Sequence, residues 1–225
     1  MSAINRTRAC AGGCWRALTI SGSVLLSACS HTTANVMPET ALASRYEALP
    51  EETFPVPAVK SRYLKPELMR QQVAYNTSYP PGTIIVDPAE HHLYLVMAEG
   101  KAMRYGIGVG RAGFAWSGSA TILHKAKWPR WTPPAEMIAR EPRLEPYRHG
   151  MKPGLGNPLG ARALYLYQNG RDTLYRLHGT NEPWSIGKNV SSGCIRLLNQ
   201  DVIDLYQRTP MGARVVVLDS GNATS

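Results

Sequence analysis

Short apolar runs separated by turn-rich sequence dominate the chain from Pro81 onward, and they predict strands rather than helices. Thr83-Ile84-Ile85-Val86 and His92-Leu93-Tyr94-Leu95-Val96 are the first two, and Glu99-Gly100 turns the chain into a returning strand from Lys101 to Val109. Further strands are expected at Ala120 to Trp128, Ala163 to Tyr167, Thr173 to Leu177 and Ala213 to Leu218. The pattern changes after Leu198. There Asn199 reads as an N-cap, Asp201 and Asp204 fall in the early turns, and Val202, Ile203, Leu205 and Tyr206 form an apolar stripe that ends before Pro210. A second short helix is expected from Pro134 to Arg140. The fold class is therefore mainly β, with one or two short helices.

Upstream the pattern differs. Between Ser30 and Pro80, the prolines at 38, 50, 55, 57 and 66 interrupt every long element, which predicts a tether with one short helix from Glu67 to Ala74. The first residues hold Arg6, Arg8 and Arg16 and no acid, then a weakly apolar run from Leu18 to Leu26 and the small pair Ser27-Ala28. This is the layout of a signal peptide, and the run is shorter than the roughly 20 residues that span a bilayer. Leu26-Ser27-Ala28-Cys29 resembles the lipobox of bacterial lipoproteins, which implies lipidation of Cys29 and a membrane anchor in the cell envelope. Four segments result: a signal peptide (1–28), a lipidated N-terminus and tether (29–80), the strand-rich domain (81–219) and a tail (220–225).

Charge and cysteine usage then narrow the chemistry. The chain carries 25 Lys and Arg against 16 Asp and Glu, and it stays basic after Arg6, Arg8 and Arg16 are removed. An exported protein meets little nucleic acid, so anionic headgroups and acidic wall polymers are the expected counter-charges, with no nucleic-acid partner. Of the four cysteines, Cys10 and Cys14 lie in the removed segment and Cys29 would be acylated. Only Cys194 remains as a thiol, and an unpaired thiol in an oxidising compartment calls for chemistry.

Cys194 sits in the most distinctive stretch of the sequence: His178-Gly179-Thr180-Asn181, Trp184-Ser185-Ile186-Gly187, and Ser191-Ser192-Gly193-Cys194-Ile195-Arg196-Leu197. A cysteine attacks an acyl group as thiolate, and an imidazole either takes its proton or stabilises the thiolate as an ion pair. His178 is the candidate partner. Gly193 lets backbone approach closely, so amides around Ser192, Gly193 and Cys194 are candidate donors to an oxyanion. Arg196 has two readings, a fork for a substrate carboxylate or a structural ion pair.

At these residues the chain resembles the YkuD-type L,D-transpeptidase catalytic domain, whose signature is His-Gly-Thr followed by Ser-His-Gly-Cys-Ile-Arg. The resemblance covers roughly Pro81 to Asp219 and is supported by Asn157-Pro158-Leu159-Gly160 and Ile186-Gly187. It implies a β-sandwich or mixed sheet with one or two short helices packed on it, and a ping-pong reaction on peptidoglycan stem peptides. Cys194 would attack the third stem residue, usually diaminopimelate, and release D-alanine; His178 would serve as base and then acid, held by the backbone carbonyl that maps to Gly179. The acyl acceptor is left open between a diaminopimelate amine, a lysine of an outer-membrane protein or lipoprotein, and water. Ser192 departs from the family, standing where many members have histidine, which leaves its role in oxyanion binding or orientation open. A wall-binding lipoprotein of the same fold without turnover is the competing reading, and the intact Cys194 and His178 weigh against it.

Neither a cofactor nor a metal is expected. Gly108-Val109-Gly110-Arg111-Ala112-Gly113 matches a dinucleotide fingerprint by letter, but Phe114-Ala115-Trp116-Ser117-Gly118 does not open a helix. Cys194 has no closely spaced ligand pair with which His91, His92, His124 or His149 could complete a zinc site. The aromatic stretch from Trp128 to Pro134 is expected to pack on the sheet rather than line a groove.

Overall fold

The structure, a computed structural model, describes residues 38–111 and 116–219. The expected signal peptide, Cys29, the start of the tether and the tail 220–225 lie outside the described residues. In chain order the strands are β1 (Gln71–Ala74), β2 (Ile84–Asp87), β3 (His92–Met97), β4 (Lys101–Gly106), β5 (Val109–Gly110), β6 (Gly118–Lys127), β7 (Arg162–Gln168), β8 (Arg171–His178), β9 (Asn189–Ser191), β10 (Ile195–Arg196) and β11 (Arg214–Val217). The helices are α1 (Glu39–Ala43), α2 (Ala135–Arg140) and α3 (Asn199–Arg208).

Among the described residues one mixed sheet of nine strands runs β1-β4-β3-β2-β11-β6-β7-β8-β10, and β5 pairs with β9 in a second, two-stranded sheet. Ile84, Ile85 and Val86 are all buried, which places β2 inside the sheet with both faces covered. It pairs antiparallel with β3 and parallel with β11. Further along, β6, β7 and β8 form an antiparallel meander, and β10 adds to β8 in parallel, Ile195 opposite Leu177 and Arg196 opposite His178. Val202 and Leu205 of α3 join Leu164, Leu166, Leu177 and Leu197 in the main core.

The strands read from the apolar runs are all present within a residue or two, with one division. The run from Lys101 to Val109 splits into β4 and β5, because Gly108 leaves the ladder to exchange backbone bonds with Arg196. The helix expected at Glu67–Ala74 is replaced by a 3₁₀ turn at Pro66–Leu68 and by β1, which pairs antiparallel with β4. Gln71 to Ala74 alternate between half-buried and exposed, the period of an edge strand.

The tether expected for residues 29–80 is corrected from Pro38 onward. Leu42, Tyr46 and Met69 are buried against Ile186 and Leu198, and Val56 packs with Trp128, Ala161 and Ile203. Prolines break regular elements without preventing burial of the side chains around them. Glu52 makes the firmest attachment. Its carboxylate accepts from Arg162 Nη1 at 2.9 Å and from the Trp128 indole N–H at 2.9 Å, and the Arg162 side chain is only 5% exposed. Phe54 meets Trp128 edge to face at 5.0 Å, so Trp128 packs as expected.

Asp201 is fully buried on α3. Tyr46 Oη donates to its Oδ2 at 3.2 Å, while Arg70 Nε lies 3.8 Å from Oδ1, which has no hydrogen-bond partner. Burial pushes this carboxyl up to about 7, helped by Asp204 and opposed by Arg70, the Tyr46 hydroxyl and Arg45. An unfolded aspartate titrates near about 3.9, so the folded state holds the proton more tightly. The stabilisation is complete below about pH 4 and is lost as pH rises through about 7. Asp201→Asn, neutral at every pH, is expected to lose less Tm than the parent between about pH 5 and about pH 8. Thermal denaturation at both values checks this, and parallel declines would contradict it.

Candidate active site

His178 ends β8, and its Nδ1 lies 2.6 Å from the carbonyl oxygen of Gly179. A carbonyl only accepts, so Nδ1 carries the proton and Nε2 keeps its lone pair in the neutral ring. The carbonyl is held in place from several sides. Gly179 N–H donates to Arg162 O at 3.0 Å. Asn199 ties the adjoining strands together, accepting from Ala161 N–H at 2.9 Å and donating to Thr180 O at 3.1 Å. A Cβ on Gly179 would stand 2.3 Å from Asn199 Oδ1, and one on Gly160 would stand 2.6 Å from Thr180 N. Both positions therefore require glycine for the two backbones to meet.

Asn199 was expected as the N-cap of α3. Leu198 holds that place, with no side-chain cap, and the Asn199 amide is used sideways between the two strands.

Cys194 lies in the loop from β9 to β10. The buried Ser191 organises this loop: its hydroxyl donates to Cys194 O at 2.6 Å and accepts from Gly193 N–H at 3.1 Å. Gly193 has a φ of 123°, a region that favours glycine. Engagement with Ser191 removes the Gly193 amide from the candidate oxyanion donors and leaves those of Ser192 and Cys194. Ser191 escaped the sequence reading, in which only the residues flanking the thiol drew attention. Downstream, Leu197 N–H donates to His178 O at 2.8 Å, so β10 fixes the cysteine loop against the strand that carries the imidazole.

Cys194 keeps partial solvent access, although protein crowds the sulfur. Its Sγ donates to the carbonyl of Leu174 at 3.8 Å, a weak bond. Burial pushes the thiol up, against the pull of the Arg176 backbone amide and of the Arg176 and Arg196 charges. Burial also pushes His178 down to about 3, reinforced by Arg196 and Arg176 and opposed by the carbonyls of Gly179 and Pro158. Both shifts favour a neutral thiol and a neutral imidazole over a charged pair. An imidazole in this form is able to accept a proton at Nε2.

Arg196 donates from Nη1 to Glu182 Oε2 at 2.7 Å. Of its two readings, the structural ion pair is the one formed here. Of the histidines considered for zinc, His91 meets Asn189, His92 meets Glu67 O, and His124 packs on Tyr165. Gly108 to Gly110 of the dinucleotide-like letters lie at and within β5 rather than at the start of a helix.

The model of the L,D-transpeptidase catalytic domain, YkuD, matches residues 81–217, and the chain belongs to this family. The Escherichia coli (strain K12) protein described as "Probable L,D-transpeptidase YbiS" is 36% identical over 142 residues, covering 60% of this chain and 44% of that protein. "Probable L,D-transpeptidase ErfK/SrfK" of the same strain is 36% identical over 140 residues, with the same coverage of each. The matched stretch thus spans less than half the length of these curated relatives. A solved structure from Brucella melitensis, described as a "Probable carnitine operon oxidoreductase caia", shares 49% identity and covers 70% of this chain and 99% of its own, with a TM-score of 0.48.

Proposed function

We propose that the chain is a peptidoglycan L,D-transpeptidase with Cys194 as nucleophile and His178 as base. The observation that carries this reading is the 2.6 Å contact of His178 Nδ1 with Gly179 O, which leaves Nε2 as the acceptor on the strand beside the Cys194 loop. In the first step Sγ attacks the carbonyl at the L-centre of the third stem residue, diaminopimelate. The thiol proton passes to His178 Nε2 and then to the departing amine, the C–N bond breaks, and D-alanine leaves a thioester on Cys194. In the second step an amine gives its proton to the same nitrogen, attacks the thioester and regenerates the thiol. Ser192 and Cys194 amides would face the oxyanion in both steps.

A diaminopimelate amine as acceptor gives a 3-3 crosslink, a lysine of an outer-membrane protein or lipoprotein gives attachment to the wall, and water gives trimming. Disaccharide-tetrapeptide incubated with each amine separates these outcomes by product mass. A Cys194→Ser variant that released D-alanine and formed crosslinks like the parent would sink the reading. The proposal extends to the cell envelope, with a lipid on Cys29 as the membrane anchor, and it is supported by the sequence Leu26-Ser27-Ala28-Cys29. Membrane association that survives Cys29→Ala would overturn that placement.

A further inference from the structure

Leu174 combines three properties that rarely coincide. It is 70% exposed, more than any other large apolar side chain among the described residues. Its φ is 65°, in the left-handed region that a branched side chain enters at a cost. And its carbonyl is the hydrogen-bond partner of the Cys194 thiol.

The conformation is held from all sides. In the β7–β8 ladder Tyr165 pairs with Arg176 and Tyr167 with Asp172, so Leu166 alone on β7 opposes three residues on β8 and the strand bulges at Thr173-Leu174-Tyr175. Leu174 N–H donates to Asp172 Oδ1 at 2.8 Å, and Asp172 is clamped in turn by both arms of Arg176. Thr173 Oγ1 donates to Leu166 O at 2.7 Å and accepts from Tyr175 N–H at 3.2 Å. Tyr175 stacks on Trp116 at 5.6 Å. Clamped strain beside a reactive group points to use of the strained residue.

With its oxygen 3.8 Å from Sγ, the Leu174 Cα stands within roughly 6 Å of the sulfur. An extended peptide advances about 3.3 Å per residue, so a donor whose carbonyl reaches Sγ runs within reach of the Leu174 side chain on one side of the attacked bond. We propose that Leu174 is a specificity-determining residue, an apolar shelf raised by the bulge that the aliphatic part of the acyl donor covers when it binds. This rests on the reading of Cys194 as nucleophile. The shelf acts on donor binding and leaves the reaction at sulfur unchanged.

The test uses the full chain with disaccharide-tetrapeptide as donor, comparing the parent with Leu174→Ala, Leu174→Gly and Leu174→Met. Leu174→Gly relieves the backbone strain, so its Tm should match or exceed the parent's and misfolding cannot explain a loss. The Ala and Gly variants are expected to raise KM about five- to tenfold with kcat within about twofold, and Met to restore most of the loss. The rate of Cys194 alkylation by iodoacetamide should not fall in any of them. KM values within about twofold of the parent in both truncations, or a loss in kcat alone, would overturn the inference. A parent that releases no D-alanine would instead overturn the function on which it rests.

Discussion

A chain that begins at Pro81 is expected to lose cooperative folding, although the family match itself starts there. Removing residues 38–80 takes away Leu42, Tyr46, Val56 and Met69, each at least 96% buried. At about 1.5–3 kcal/mol for each large apolar side chain, the loss approaches the whole stability of an ordinary domain, about 5–15 kcal/mol. The deletion also bares Ile186, Leu198 and Ile203 to water and uncovers the edge of β4. A finer cut makes the same point. Glu52→Ala leaves the Arg162 guanidinium among its neighbours without its carboxylate, and breaking a buried pair in this way costs about 3–5 kcal/mol. Arg162 O accepts the Gly179 amide, so this disturbance reaches the carbonyl that orients His178. Urea denaturation followed by circular dichroism checks both variants. A Pro81 chain that unfolds cooperatively at the parent's midpoint would show that the preceding segment is dispensable.

Loss of the His178 imidazole is expected to slow acylation of Cys194 by about a hundredfold to ten-thousandfold, the usual contribution of a positioned base. The pH dependence carries more information than the magnitude. Burial holds His178 down at about 3, so the ring is already the neutral, proton-accepting form across the neutral range. Parent kcat/KM should therefore show no acid limb between about pH 5 and about pH 8. Without the imidazole, a thiol pushed up by burial has to ionise unaided, and the rate of His178→Ala should climb with pH over the same interval. A parent profile with a midpoint near about 6.5 would mean an imidazole in ordinary solvation and would contradict the buried neutral pair.

The sheet and the two residues proposed as nucleophile and base stood out in the sequence for different reasons. Half-buried hairpins advertise themselves through alternation, as in His92 to Val96, and α3 through its apolar stripe. Cys194 and His178 stood out by spacing and by residue type. What escaped depends on partners remote in sequence. Gln71-Gln72-Val73-Ala74 has no apolar face of its own and becomes a strand only because β4 offers an edge. Tyr46, Glu52 and Met69 are isolated among prolines, and only the surfaces around Leu198, Arg162 and Ile186 give them a place. Asn199 stood in an N-cap position, yet the close approach of Gly160 and Gly179 draws its amide elsewhere. The bulge at Leu174 was invisible because Thr173 to Leu177 reads as an unbroken strand, and a left-handed leucine carries no local signal.

An acyl-enzyme on Cys194 is read without intermediaries by intact mass spectrometry of the full chain incubated with disaccharide-tetrapeptide. A mass increase of the donor less D-alanine is expected, confined to Cys194 and absent from Cys194→Ala, with free D-alanine in solution. No increase from a parent whose thiol still reacts with iodoacetamide, or an increase that persists in Cys194→Ala, would contradict it.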